Sequence, residues 1–322
     1  MKKLLKILLI MLILGGIIFA VEKSYQEKLF FFANDVEEET IETAEVIPNT
    51  EWKITQYGDE ENQMMCYIIE GNNNGLAIVD GGYYHNDSQA EYVRNKIISH
   101  GGKVDAWIVT HFDSDHAGVF ETIEETNPDF KIENLFVQDV PYDMEMLKEN
   151  APWEDEWDCF ERFQNNNYTN IEKINKVHSG DEFEFMELRM KVLSSYDEWI
   201  DKEMNNLLNN GAILFKLYGK EESMLFCADV QDKKIEKYIT ENYKEDLPSD
   251  YIQVGHHGNN SFSKEFYKLV NPKKAFFSAP TWLMDNISNI DWFTVGTIRK
   301  WLEDDGVEIY WHNTAPNEFT LK

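Results

Sequence analysis

The sequence predicts a mixed α/β chain, and three observations carry that prediction. Short apolar runs bounded by turn residues alternate with stretches at helical spacing through most of the chain. One of those runs ends in a dense group of metal-capable side chains, His111, Asp113, Asp115 and His116, as though a strand delivers them into a buried site. The first 21 residues stand apart from this alternation, with lysines followed by an unbroken apolar run.

Taken in order, Lys2, Lys3 and Lys6 precede the apolar stretch from Ile7 to Val21, and Glu22 and Lys23 follow at once. Residues 1–21 therefore read as an export signal or a short membrane anchor. Ile18 spoils the small-x-small pattern before Ala20, which favours an uncleaved anchor over a cleaved peptide. The lysines place the N-terminus inside and the remainder outside. The expected location is the cell membrane, single-pass with an extracellular domain, or secreted if the segment is cleaved. Residues 22–51 are acidic without a clear apolar period and read as a solvated tether.

A folded domain is expected over residues 52–322. Met64 to Glu70 and Leu76 to Val79 read as strands around the turn Gly71-Asn-Asn-Asn-Gly75. Ser88 to His100 carries Ala90, Val93, Ile97 and Ile98 at helical spacing and stops at Gly101-Gly102. Val104 to Val109 is the strand that feeds the metal-capable loop, and Val119 to Thr126 reads as a short helix after it. Phe130 to Val137 is a strand. Pro141 to Lys176 is the least regular part. Its aromatic and acidic stretch from Ala151 to Phe163 could cover a site rim and bind a cationic or sugar-like group, or pack as a helix into the core. A hairpin-like segment (Phe183 to Ser194), a pair of runs ending at Asp229, a helix (Lys233 to Tyr243) and a strand (Tyr251 to Gly255) continue the alternation. Lys264 to Leu269, Ala275 to Ser278, Thr294 to Leu302 and Glu308 to Trp311 complete it.

Two imidazoles and two carboxylates within six positions form a ligand set for a divalent ion. Helix capping would use one aspartate and would explain neither histidine. The stretch His111-x-Asp113-x-Asp115-His116-x-Gly118 resembles the signature of the metallo-β-lactamase-fold hydrolases. Aspartate at 113, where that family usually has histidine, is similar to the hydrolase domain of the DNA-uptake protein ComEC and its free-standing relatives. The resemblance runs over roughly residues 52–322 and implies a four-layer αβ/βα sandwich. It also implies that Asp80, in Asp80-Gly81-Gly82, braces the metal loop. Asp229 matches the family's bridging carboxylate, and His256-His257-Gly258 its paired-histidine turn. No histidine stands at Val192-Leu-Ser-Ser-Tyr196, where many members carry a third one, and His178 reads as a surface residue.

One metal position is thus expected from Asp115, His116, Asp229 and His256, and a second from His111, Asp113 and Asp229. One or two ions are expected, zinc or manganese, with Asp113 favouring the harder ion. A divalent ion lowers the pKa of bound water from about 15.7 toward roughly 7. Asp115 or Asp113 would orient that water, and His257 would assist as a donor to a leaving group or an anionic oxygen. No Ser-His-Asp set or glycine-rich phosphate loop competes. The expected activity is hydrolysis of a phosphoester, phosphodiester or other small substrate. Lactone, amide or thioester hydrolysis on the same site, or a binding module with a degenerate site, are the alternatives. A net charge of −29 disfavours nucleic acid as a partner without excluding it. Cys66, Cys159 and Cys227 form no disulfide framework.

Overall fold

A computed structural model describes residues 48–141, 143–150, 157–200, 204–287, 289–313 and 315–322. From Pro48 onward the chain forms one compact unit. It is a mixed α/β sandwich of two seven-stranded sheets. The first sheet contains β1 (Trp52–Gln56), β2 (Cys66–Gly71), β3 (Leu76–Asp80), β4 (Lys103–Val109), β5 (Lys131–Gln138) and β6 (Ile171–Val177), with β14 (Asn317–Leu321) beside β1. The second contains β7 (Glu182–Phe185), β8 (Leu188–Ser194), β9 (Leu214–Tyr218), β10 (Ser223–Phe226), β11 (Tyr251–Val254), β12 (Lys274–Phe277) and β13 (Glu308–Tyr310), in sequence order across the sheet.

Alternation along each strand divides the core. Ile69, Val79 and Ile108 of the first sheet pack with Val192, Phe215 and Phe226 of the second in one buried cluster. Tyr67 meets Phe226 edge-on at 5.1 Å, and Phe276 stacks on Phe319 at 4.5 Å, so aromatic rings join the sheets directly. The opposite faces, with Ile78, Trp107, Leu225 and Ile252, pack against helices. These include α1 (Asp87–Ser99) and α2 (Ser114–Thr126). Asn86 caps α1 by accepting from the Gln89 amide.

Several expectations change. Helix α2 begins at Ser114, inside the metal-capable stretch, so Asp115 and His116 belong to its first turn and not to a loop. β6 was hidden in the irregular part because Glu172, Lys173, Ile174 and Lys176 are exposed in it, which leaves little alternation to read. β14 was hidden because five residues with a half-exposed pattern give little period to read. In the aromatic stretch, Cys159, Phe160 and Phe163 are buried in the core, and Phe112 packs on both phenylalanines. Residues 151–156 of it lie outside the described residues.

The expected membrane segment, residues 1–21, and residues 22–47 of the tether also lie outside the described residues. Among the described residues no helix is long and apolar enough to cross a membrane. Helices α1 and α2 have 13 residues each. At about 1.5 Å per residue that is roughly 20 Å, short of a hydrocarbon core of about 30 Å. The expectation of a single-pass membrane protein with an extracellular domain is corrected on that finding.

Candidate metal centre

The centre forms where strand ends from both sheets meet. β3, β4 and β5 are parallel, as are β10, β11 and β12. β4 ends at Val109, and Thr110 to Asp113 lead into α2. Asp113 stands at the helix N-cap but makes no side-chain capping bond, so its carboxylate is left for other work. Asp115 in the first turn sits at the favourable end of the helix dipole. Gly118 is required by packing: a Cβ there would lie 1.9 Å from the Tyr84 nitrogen. That close approach seats α2 against the turn after Asp80. On the other sheet, Asp229 follows β10 and His257 follows β11. The His256 amide donates to the Ala228 carbonyl at 2.8 Å, which locks these two ends together.

Each histidine is aimed by its Nδ1. Asp80, buried and with φ of 55°, accepts from the Thr110 amide at 2.7 Å and the Thr110 hydroxyl at 2.8 Å. The same carboxylate lies 2.8 Å from His116 Nδ1. His257 Nδ1 donates to the Ser278 carbonyl at 2.7 Å. His111 Nδ1 lies 3.1 Å from the Thr110 hydroxyl. Holding Nδ1 from behind fixes ring orientation and turns Nε2 forward.

The forward atoms converge. His116 Nε2 is 3.3 Å from Asp229 Oδ1, and His257 Nε2 is 3.1 Å from both Asp229 Oδ2 and Asp115 Oδ2. His111 and His116 rings lie 4.1 Å apart between centroids, and His111 Nε2 is 3.5 Å from Asp113 Oδ2. Two groups bring their ligand atoms within 4.8 Å of one another: His111, His116 and Asp229, and Asp115, His116 and His257. The Nε2 atoms of His111, His116 and His257, with Asp113 Oδ1 and Asp229 Oδ1, are buried without a hydrogen-bond partner. Buried polar atoms are rarely left so, and a converging set of imidazole nitrogens and carboxylate oxygens fits a divalent ion.

The charges tell the same story. Burial holds His111 down at about 4. Burial and the nearby Asp115 carboxylate raise Asp113 well above the usual range. For His257 burial acts downward, but Asp229 and Asp115 outweigh it and raise the ring to about 10. His116 is likewise raised, against burial, by Asp229, Asp115 and Asp80. Asp229 is lowered, against burial, by His257 and His116. Protons on two imidazoles therefore supply the positive charge that the carboxylates demand.

A model of the metallo-β-lactamase superfamily matches residues 60–129, the stretch that holds Asp80 and the whole His111-to-His116 group. Residues 60–129 of the chain thus match a metallo-β-lactamase superfamily domain. Members of this superfamily are mostly metal-dependent hydrolases. Among solved structures, it is similar to CmlA, a diiron β-hydroxylase from Streptomyces venezuelae, at 12% identity and a TM-score of 0.52. That match covers 85% of this chain and 55% of CmlA. It is also similar to the metallo-β-lactamase-fold protein YhfI from Bacillus subtilis, at 11% identity and a TM-score of 0.48, over 84% of this chain and 99% of YhfI. At such identities the likeness is one of fold. Comparison with curated protein sequences gives no match.

Within this metallo-β-lactamase fold the six expected ligands do not all meet. His111, Asp113, Asp115, His116 and Asp229 come together, and of the paired histidines it is His257 that faces them. His257, expected to assist, faces Asp115 and Asp229. His256, expected to bind metal, directs Nδ1 to the Asn259 carbonyl at 2.6 Å and joins neither ligand group. Both residues have positive φ, 47° and 54°, so strand alternation ends at Val254 and cannot say which ring points inward. His178 is 56% exposed and faces Asp139, as a surface residue should. Ser278 and Thr110 were missed as supports because a backbone carbonyl and a lone threonine leave no mark in a sequence. His312 was missed too: it is buried, its ring lies where a Cβ on Gly58 would be, and its Nε2 has no partner.

Proposed function

We propose that this chain is a metal-dependent hydrolase of phosphoester or phosphodiester bonds, similar to the ComEC-type domain, with residues 52–322 as the catalytic unit. The observation that carries the reading is the set of bare, buried Nε2 and carboxylate oxygen atoms converging from both sheets. Buried polar atoms left without hydrogen-bond partners cost stability, and a divalent cation would pair them. A divalent ion bound there would supply Lewis acidity to water and to a substrate oxygen.

The chain's own residues divide the remaining work. His111, His116, His257 and Asp229 would hold the ion, with Asp229 presenting one oxygen toward His116 and the other toward His257. Asp115, which burial would raise but His116 and His257 hold below the usual carboxylate range, would orient the attacking water and accept its proton, with Asp113 beside it. Asp80 and Ser278 keep the rings from turning away. Asp113 in place of an imidazole makes the centre harder, which favours Mn²⁺ relative to an all-histidine site while leaving Zn²⁺ competent. The charge of −29 favours a short phosphodiester or a small ester over a long polyanion.

Turnover of bis(p-nitrophenyl) phosphate by the full chain, with added Mn²⁺ or Zn²⁺, tests this. Metal-dependent release of nitrophenol supports it. Cleavage of a lactone or thioester alone would move the activity to carboxylic substrates. Metal binding with no turnover of either class would make the chain a binding module.

A further inference from the structure

The outer strand of the second sheet delivers one imidazole that the centre does not use. β11, β12 and β13 are parallel, so all three end on the edge where the centre lies, and His312 stands two residues past β13. The turn after β12 links that residue to the centre. His257 Nδ1 donates to the Ser278 carbonyl at 2.7 Å, and the His312 amide donates to the next carbonyl, that of Ala279, at 3.0 Å. His312 joins neither group of converging ligand atoms. Yet burial, and next to it the charge on His257, hold its ring down at about 4. Such an influence falls with distance, so the two rings are neighbours. His312 therefore stands outside the ligand set and beside it.

The ring is 2% exposed and closely boxed in by Gly58. Its Nδ1 lies 3.4 Å from the Asn62 carbonyl, which can only accept, so the neutral ring carries its proton there. Nε2 is then an acceptor, and it is buried without a partner. The loop around it is braced on two sides. Asp59 accepts from the Glu61 and Asn62 amides at 3.0 and 2.6 Å and from Gln89 Nε2 at 2.6 Å. The oxygen of Gln89 accepts from the Tyr83 amide at 2.7 Å, just after Asp80-Gly81-Gly82. Trp282 Nε1 donates to the Glu61 carbonyl at 2.8 Å. A bare acceptor inside so fixed a shell is not slack in packing. Beside it, Gly58, Asn62 and Asn313 line a groove of about 480 Å³ together with Asp59, Asn86 and Ser88. No lysine or arginine is among the residues that line it.

We propose that His312 is a substrate-binding residue, whose Nε2 accepts a hydrogen bond from a hydroxyl on one arm of a phosphodiester held at the centre. This rests on the phosphodiester reading above and deepens it. The substrate class becomes a phosphodiester with a neutral, hydroxyl-bearing arm, such as a glycerol or a sugar, and the groove gives that arm room. A neutral acceptor does not attract a second phosphate, and the carboxylates of the groove repel one. A hydroxyl would give Nε2 the donor it lacks. An arm without a hydroxyl would leave the acceptor bare, which is how a buried polar group selects its substrate.

The test compares two esters on the full chain with added Mn²⁺: glycerol p-nitrophenyl phosphate and propyl p-nitrophenyl phosphate. They share charge and leaving group and differ only in hydroxyls. The wild type should prefer the glycerol ester in kcat/KM by about tenfold or more. His312→Phe keeps a ring but has no acceptor. It should erase the preference by raising KM for the glycerol ester, and change turnover of the propyl ester by less than about threefold. His312→Asn withdraws the acceptor in a smaller side chain and decides the matter if the phenylalanine variant does not fold. His312→Gln, which returns an acceptor near the Nε2 position, should keep part of the preference. No preference in the wild type, or one unchanged in the phenylalanine and asparagine variants, overturns the role of His312 while the hydrolase reading stands. Turnover of neither ester by the wild type overturns both.

Discussion

The two sides of the centre are built on different principles. His116 lies 4.0 and 3.3 Å from Asp115 and Asp229, His257 lies 3.1 Å from both carboxylates, and the two rings are pinned from behind by Asp80 and Ser278. His111 and Asp113 lie 3.5 Å apart, and Asp113 makes no capping bond. The first side is fixed by charge-assisted hydrogen bonds before any ion arrives. The second is fixed mainly by burial. Preorganisation of this kind makes the first side the firmer holder of an ion.

The sharpest break in that comparison lies between adjacent histidines. His257→Ala should lower metal-dependent turnover by more than about a hundredfold, beyond the 10–100-fold typical of losing a supporting partner. His256→Ala should change it by less than about threefold, as for a residue outside the centre. Steady-state kinetics on one phosphodiester decides this, and equal losses would erase the distinction. Next comes the brace. Asp80→Asn keeps the size of the side chain but removes the charge that orients His116, and it should weaken metal affinity by about 10–100-fold. Competition with a chelator measures it, and an unchanged affinity would mean that Asp80 supports only the Thr110 turn.

A third effect concerns protons. Asp229 and Asp115 raise His257 to about 10 and hold His116 high, so both rings carry protons at neutral pH when no ion is bound. An ion must displace those protons. Its affinity should therefore fall as pH falls, and rise with pH toward the His257 value. Calorimetry at pH 8 in buffers of different ionisation heat should show net proton release on binding. Uptake, or no dependence on buffer, would contradict the charge balance described.

The smallest effect lies behind the centre, on the buried face of α2. Burial raises Glu121 to about 8, although the Tyr168 hydroxyl donates to both of its oxygens. Glu124 is raised by burial to about 7. Between the ordinary value of 4.5 and these raised values, the unfolded chain gives up protons that the folded chain keeps. Stability should accordingly fall as pH rises through that window and stay low above it. Glu121→Gln should raise the melting temperature at pH 9, leave it nearly unchanged at pH 4, and flatten the slope between. A melting profile parallel to wild type would refute this.

How much of this was legible in the residues follows the same division. The mixed α/β alternation and the His111-to-His116 group could be read because apolar period and ligand spacing are local. Asp229 could be placed only by resemblance, since nothing near it in sequence ties it to a site 113 positions earlier. The choice between His256 and His257 was not legible. It depends on two consecutive left-handed residues after Gly255, and that geometry carries no pattern of its own. The edge strands β6 and β14 were missed for different reasons: three consecutive exposed residues, Glu172 to Ile174, break the two-residue period of β6, and β14 spans only five residues.

The central claim is that strand ends from both sheets join in one metal centre through Asp229. Metal content by mass spectrometry tests it most directly, on the full chain and its Asp229→Ala variant, each loaded with Mn²⁺ and freed of excess ion. Asp229 faces His257 and His116 at 3.1 and 3.3 Å, and its loss leaves two protonated rings without their main counter-charge. The expected result is at least one ion per wild-type chain and none retained by the variant. Equal metal content in the two proteins, or none in the wild type, would contradict it.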